Sequence, residues 1–573
     1  MHRFIPFVLI AVVAASCGAP PQPTEDQKFE SYARNYVEAL LTISPEWATM
    51  LGDHRFDDRL SDYSRAGVEA NRALSLAYLD SLGTLDPAKL SAVNAIDWKI
   101  MRNALQSTVF SIDTLREYEW NPTIYNPGNA IYGLLAREFA PLPERLRSLG
   151  GRLRQVPSVV AAAKENLGTP PKVFTETAIN QVKGTVGLIR SELDTFLKDA
   201  PGMTAELAPA REAAAAALEE YVAWMEKDLL PRSTGDFRIG EEKYRRKLYY
   251  TLESALSKEE ILTRAEHDLQ ETQAVMEATA RPMFAAMFPG RKEPADRKTL
   301  IKSVLDKLAE SRPDNATIVP RAEEYLKECN DFVAAKGLMT LPTEPVKIIV
   351  MPEFQRGVAV AYCDAAGPLE KNGETFYAIS PTPKDWAPER VTSFFREYND
   401  HMLRNLTVHE AVPGHYLQLM HANRFKAPTM VRALFGSGTF VEGWATYAEQ
   451  VMVEHGYGGD GVKMQQLKMR LRLIINAIID QKIHTAGMTE QEAMDLMMKE
   501  GFQEDGEAAG KWRRACLSST QLSTYYVGNA EINDLRKGYE AKNGKQTSLK
   551  AMHDSMLSFG SPAPKYVKEM LGL

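Results

Sequence analysis

The chain is poor in cysteine, in long runs of one charge and in long apolar runs. Its 573 residues include four cysteines, Cys17, Cys329, Cys363 and Cys516. Leaving Cys17 aside, the odd number excludes a complete disulfide framework, and the spacing excludes a thiolate metal cluster. At most one bridge can form. No long basic run occurs and the formal charge is −7, which argues against a nucleic-acid partner. No repeat of fixed period is present. Beyond the N-terminus no stretch of about 18 apolar residues follows, so nothing else reads as a membrane span. What is there is ordinary for a globular protein: 44% hydrophobic and 25% charged residues, at a length that suits one large core or about two to four domains.

The first residues are more telling. "MHRFIPFVLIAVVAASCGAP" has a short basic start, an apolar run and small residues leading to Cys17, the pattern of an export signal. "AASC" resembles a bacterial lipobox, in which Cys17 becomes the lipidated first residue after cleavage; ordinary signal cleavage nearby is the alternative, since Ala14 stands where Leu is usual. Residues 1–16 then read as the signal and 17–28, Pro-rich and polar, as a flexible tether. The expectation is an exported protein, lipid-anchored to a bacterial membrane and facing the periplasm or exterior.

From 29 to 340 the pattern is helical. "FESYARNYVEALL" places Phe29, Tyr32, Tyr36 and Leu40 on one helix face, and Ser257 with Glu260 makes a capping box. From 341 to 573 the character changes. "VKIIVMP", "GVAVAYCDA" and "TFYAIS" predict a sheet of about three strands, broken by "FQRG" and "GPLEKNGE". Helix returns from Ala387, with Gly-rich breaks at "FGSGT" and "HGYGGDG". The fold class is mainly α with one small β-sheet, and the two parts are expected to form one catalytic unit.

Just after the strands comes "TVHEAVPGHYLQ", residues 407–418. Zinc peptidases usually carry two His four apart on a helix with Glu beside the first. Here the spacing is six, and at about 100° per residue a regular helix would turn His415 well away from His409. The intervening residues answer this. Pro413 clashes with the carbonyl of His409, Val412 before it is pushed out of helical geometry, and Gly414 accepts unusual backbone angles. The helix is therefore expected to break over Val412–Gly414 and return His415 to the face of His409. A catalytic zinc needs a third protein ligand and an open position. Glu442 in "FVEGWATYAE" supplies the ligand, leaving Glu410 free as general base. Glu449, seven residues on, falls on nearly the same face, either as partner to a ligating His or as a solvated carboxylate.

"HEAVPGH" followed by "FVEGWATYAE" resembles a bacterial family known as domain of unknown function 885, itself similar to gluzincin metallopeptidases. "SPEWATMLGDHRFDDRLSDYS", "NLGTPPKVFTETAI", "QLSTYYVG" and "MHDSMLSFGSPAP" extend the resemblance over nearly the whole mature chain. It implies a large helical metallopeptidase-like fold, one zinc ion on His409, His415 and Glu442, and Glu410 as base. It also implies a phenol, Tyr525, facing the reacting carbonyl, with its neighbour Tyr526 as the competing choice. Arg514 matches a family Arg and is a substrate-binding candidate. Ala515 and the Ser519–Thr520 pair depart from the family's Tyr and Pro-Gly. His553 reads as a packed or surface residue.

The expected function is hydrolysis of peptide bonds in oligopeptides outside the cytoplasm. The alternatives are a zinc hydrolase of a cell-wall or other amide, and a binding lipoprotein without catalysis. Neither the sequence nor the resemblance fixes an oligomeric state.

Overall fold

The computed structural model describes residues 22–351, 360–371, 373–384, 386–544 and 547–573. The signal, Cys17 and the "FQRG" break lie outside the described residues. Helix α1 (Glu25–Ile43) begins inside the stretch expected to be tether. The reason is local: Thr24 accepts a hydrogen bond from the Gln27 N–H while the Gln27 side chain accepts one from the Thr24 N–H. This capping box starts a helix despite the polar composition, so the tether ends at least four residues earlier than expected.

Helices α2 (Ala92–Phe110), α3 (Leu142–Asn166) and α4 (Met203–Trp224) follow. α3 and α4 pack along Leu146, Leu149, Leu153, Ala214 and Leu218, all fully buried. α5 (Lys258–Met287) opens on the expected Ser257–Glu260 capping box, and α6 (Ile318–Lys336) leads to the sheet.

The three expected strands form. β1 (Val346–Val350), β2 (Ala361–Asp364) and β3 (Thr375–Ile379) lie in the order β1-β3-β2. β1 runs parallel to β3 with Val346 opposite Thr375, and β2 runs antiparallel with Cys363 opposite Tyr377. β2 is thus an edge strand.

Seven of the helices after the sheet matter for the site. They are α7 (Asp400–Glu410), α8 (His415–Arg424), α9 (Gly438–Glu454), α10 (Gly459–Ala486), α11 (Asp505–Leu517), α12 (Ser523–Asn543) and α13 (Leu549–Leu557). α10 is buried along most of its length, with Leu471, Ile474, Ile475 and Ile479 fully enclosed against α5 and its neighbours and polar groups such as Gln465, Arg472 and Asp480 buried as well. α9 and α12 cross at two glycines. A Cβ on Gly443 would stand 2.4 Å from the Gly528 carbonyl carbon, and one on Gly528 would stand 1.9 Å from the Thr439 carbonyl oxygen. No side chain fits between these backbones.

A buried ion pair joins the 29–340 and 341–573 parts: Arg432 Nε donates to Asp97 on α2 at 2.8 Å, with both side chains almost wholly enclosed. Cys329, Cys363 and Cys516 are free thiols, so the one bridge that the count allowed is not made. Among the described residues no helix is long and apolar enough to cross a membrane.

Candidate metal centre

The break between α7 and α8 occupies Ala411–Gly414, as the breaker residues predict. The ladder shifts register across it: Val412 N–H donates to the Thr407 carbonyl and Gly414 N–H to that of Val408, at 3.3 and 2.9 Å. The Val412–Pro413 peptide bond is cis. Gly414 is required for room: a Cβ there would lie 1.9 Å from the His409 carbonyl oxygen. Its backbone angles, φ −77° and ψ −127°, lie outside both the helical and the extended region, so the unusual conformation expected from sequence stands beside the close backbone approach. Trp444, two residues after Glu442, donates its indole N–H to the Pro413 carbonyl at 2.9 Å, tying the break to α9.

The result brings His409, His415 and Glu442 together, with one ligand atom from each lying within 4.8 Å of the others. Glu442 Oε2 is 3.6 Å from His409 Nε2 and 3.4 Å from His415 Nε2. Two ligands about 2.1 Å from one tetrahedral ion are about 3.4 Å apart. The same Glu442 oxygen is buried with no hydrogen-bond partner, a costly state unless something else satisfies it. Three ligand atoms at coordination spacing, one of them otherwise orphaned, fit a divalent cation, and a His₂-carboxylate set suits zinc. Burial opposes the charge on Glu442, yet the two imidazoles hold its carboxyl well below the usual range. Burial likewise opposes a proton on His409, but Glu442 and Glu449 raise its proton affinity well above that of a free imidazole.

Glu449 is almost fully buried. It accepts from His409 Nδ1 at 2.7 Å and from the Asn405 amide at 2.7 Å. A carboxylate can only accept, so His409 carries its proton on Nδ1 and leaves Nε2 for a metal. Of the two readings of Glu449, the solvated one is overturned, because its helix face points inward to α7. Asn405 was not singled out in the sequence. Glu410 Oε2 accepts the Cys363 N–H at 3.1 Å, so the edge of β2 orients the carboxylate beside the cluster.

Tyr525 and Tyr526 part company. Tyr525 OH accepts from Arg514 at 3.0 Å, and burial, with the Glu442 charge, pushes its phenol up to about 12. Tyr526 OH instead donates to Asp268 on α5 at 3.0 Å. The turn before them holds Thr520 at φ 69°, a left-handed conformation that a β-branched residue resists and that the family's glycine would take freely. Buried Asp480 secures it, accepting the N–H groups of Thr520 and Ser523 at 2.9 and 3.1 Å. Arg514 also donates to Gln521. Lys511, one turn earlier on α11 and half-buried, was not singled out in the sequence; burial, opposed by the Glu507 charge, pushes its ammonium down to about 7. His553 is packed, as expected, between Trp444 and Tyr447.

The chain belongs to the family of bacterial proteins of unknown function DUF885, whose sequence pattern matches residues 45–571. A protein of Shewanella oneidensis, described provisionally as a lipoprotein of unknown function, aligns at 33% identity and TM-score 0.81, covering 95% of this chain and 100% of its own. A similarly described lipoprotein of Colwellia psychrerythraea has the same fold at 18% identity and TM-score 0.76, covering 96% and 99%. An M32 carboxypeptidase of Deinococcus radiodurans aligns at 13% identity over 96% and 94% of the chains, but its TM-score of 0.38 is too low to bear on the chemistry. No curated protein matches the chain.

Proposed function

We propose that this chain is an exported zinc peptidase that hydrolyses oligopeptides, with residues 29–340 and 341–573 working as one unit and Cys17 carrying a lipid anchor. The observation that carries the reading is the convergence of His409, His415 and Glu442 at ligand spacing around an otherwise unpartnered Glu442 oxygen. Zinc held there would supply a Lewis acid that polarises a carbonyl and acidifies water. The chain's own groups supply the rest. Glu410, oriented by the Cys363 N–H, takes the proton from the attacking water. Tyr525 offers a hydrogen bond to the oxygen on which negative charge grows. Glu449 holds His409 in its ligating tautomer. The anchor is supported by the lipobox-like "AASC" and by the description of the Shewanella relative as a lipoprotein.

Glu410→Gln tests the reading. It keeps size and hydrogen bonding but cannot accept a proton. The variant is expected to retain zinc and to hydrolyse a quenched peptide library at least ~100-fold more slowly than the wild type, whose own activity a chelator abolishes. Near-normal turnover in the variant would remove Glu410 from the chemistry.

A further inference from the structure

The segment "SPEWATMLGDHRFDDRLSDYS" shares in the family resemblance but supplies none of the three clustered ligands. Its middle packs on the connector that follows β2. Leu51, the last residue of the helix Pro45–Leu51, accepts the Leu369 N–H on its carbonyl at 2.9 Å. Gly52 stands at φ +92°, and a Cβ there would lie 2.4 Å from the Glu370 nitrogen. From the other side, a Cβ on Gly367 would lie 2.4 Å from the Leu51 carbonyl carbon. Two backbones meet here with no side chain between them, and both use glycine to do so.

His54 sits across this contact. Its Nδ1 is 3.0 Å from Asp57 Oδ2 and its Nε2 is 2.9 Å from Glu370 Oε2, and its ring stacks on Phe139 with centroids 3.7 Å apart. The other oxygen of each carboxylate is occupied too. Asp57 Oδ1 accepts the Thr49 hydroxyl at 2.6 Å, and the Thr49 oxygen in turn accepts from Arg152 at 2.5 Å. Glu370 Oε1 accepts the Lys371 N–H at 3.1 Å. All four oxygens face donors, so both carboxylates act as acceptors only. Both ring nitrogens must then donate, which makes His54 an imidazolium. The charges next in line are engaged elsewhere: Asp53 is taken by Arg55 at 2.6 Å, Arg55 also holds Glu38, and Arg152 lies behind Asp57 at Thr49. Burial opposes a charge on His54, but Asp57 and Glu370 outweigh it and raise its proton affinity above that of a free imidazole.

The connector begins beside the candidate site. Cys363 donates its N–H to Glu410. The next residue, Asp364, pairs with Arg137, which also donates to the Ala365 carbonyl at 2.9 Å. Asn423 on α8 donates to the Ala366 carbonyl at 3.0 Å. Arg137 keeps its charge at any ordinary pH, whereas His54 titrates near neutrality.

We propose that His54 is a pH-dependent clasp: as an imidazolium shared by Asp57 and Glu370 it pins the connector after β2 to the 29–340 part, and loss of one proton loosens that hold. Deprotonation leaves one ring nitrogen without its N–H, so one carboxylate oxygen faces a lone pair and that bond is lost. The raised affinity fixes the sign. The hold is complete below pH 6.5 and is lost as pH rises through the folded pKa of His54, which lies above 6.5. His54 is a positioning residue that acts on Glu410 through the connector and β2, and only this last consequence rests on the peptidase reading.

The experiment uses the full mature chain, loaded with zinc. Exchange of the histidine C2 hydrogen, read by mass spectrometry, follows the protonation of His54. Backbone amide exchange of residues 361–371, corrected at each pH for the intrinsic rate, follows the connector. His54 should titrate above pH 6.5, and protection of 361–371 should fall about 10-fold across that titration, the size of one charge-assisted bond. Glu370→Gln keeps the side chain's size and removes its charge, so His54 should titrate at lower pH and the step in protection should move with it. In His54→Gln the step should vanish. Circular dichroism and zinc content establish that the variants are folded; Glu370→Gln decides alone if His54→Gln is not. Titration of His54 at or below pH 6.5, a step that stays in place in Glu370→Gln, or one that survives in His54→Gln, overturns the clasp. Peptide turnover should decline across the same pH range and earlier in Glu370→Gln; identical profiles would overturn the action on Glu410. A step in protection in a protein that cleaves nothing would leave the clasp standing and the peptidase reading overturned. Cleavage without the step would do the reverse.

Discussion

Tyr525 and Tyr526 are neighbours in sequence with unlike surroundings: one bonds Arg514 at the cluster, the other Asp268 on α5. Tyr525→Phe should keep fold and zinc and lower kcat by about 10²–10³, as removal of an oxyanion donor does. Tyr526→Phe should cost about 1 kcal/mol of stability and leave turnover near normal. Steady-state kinetics on the pair decide it; a loss confined to Tyr526→Phe would reverse the assignment. His553 allows a prediction of pH dependence. Its Nδ1 donates to the Leu338 carbonyl and its Nε2 accepts the Tyr447 hydroxyl, at 2.8 and 2.9 Å, so a second proton has no acceptor. Burial, opposed only in part by the Leu338 bond, lowers its pKa from 6.5 to about 4. A lowered folded pKa means stability that is fully present above pH 6.5 and is lost as pH falls through about 4. Wild type should lose up to about 3 kcal/mol more than His553→Gln between pH 7 and pH 4, read from denaturant midpoints. Parallel loss in both proteins would contradict it. At this scale the meeting of His409, His415 and Glu442 was legible, because metal binding would restrict residue types and spacing. Glu449 and Lys511 were not, since a buried partner and a solvated surface charge look alike in sequence.

The element that matters most is the break between α7 and α8. Its place could be read from "VPG", because proline and glycine act through local sterics. The close approach at Gly414 could not be read, because it depends on the return of the chain over the His409 carbonyl. Gly414→Ala puts a methyl 1.9 Å from that oxygen and 2.4 Å from the Val408 oxygen, and backbone atoms cannot swing aside. A destabilisation of about 1–3 kcal/mol together with weakened zinc binding is expected from unfolding curves and metal titration. Unchanged values would show that the break tolerates a side chain and that its path is not set by this contact. The Gly443–Gly528 crossing has the same logic. "EGW" and "YVG" are visible as motifs, but their mutual contact is long-range and appears only when α9 and α12 pack. At the other end, helix α1 was mistaken in part for tether because composition outweighed the short capping pattern at Thr24.

For the whole molecule, the mainly helical class and the small sheet followed from periodicity, which is a local property. The joining of its two parts did not. Asp97 and Arg432 are unremarkable charges in sequence, yet they meet at 2.8 Å in the interior, and breaking such a pair strands a buried charge. The same long-range assembly is what presents His409, His415 and Glu442 to one another, so metal binding reports on the entire account. The most direct measurement is elemental analysis of the purified protein and of His415→Ala at matched folding. The account predicts about one zinc per chain in the wild type and in Glu410→Gln, and almost none in His415→Ala, whose two remaining ligands cannot hold a catalytic ion. Full zinc in His415→Ala would contradict it, because the broken helix would then have no part in holding the metal.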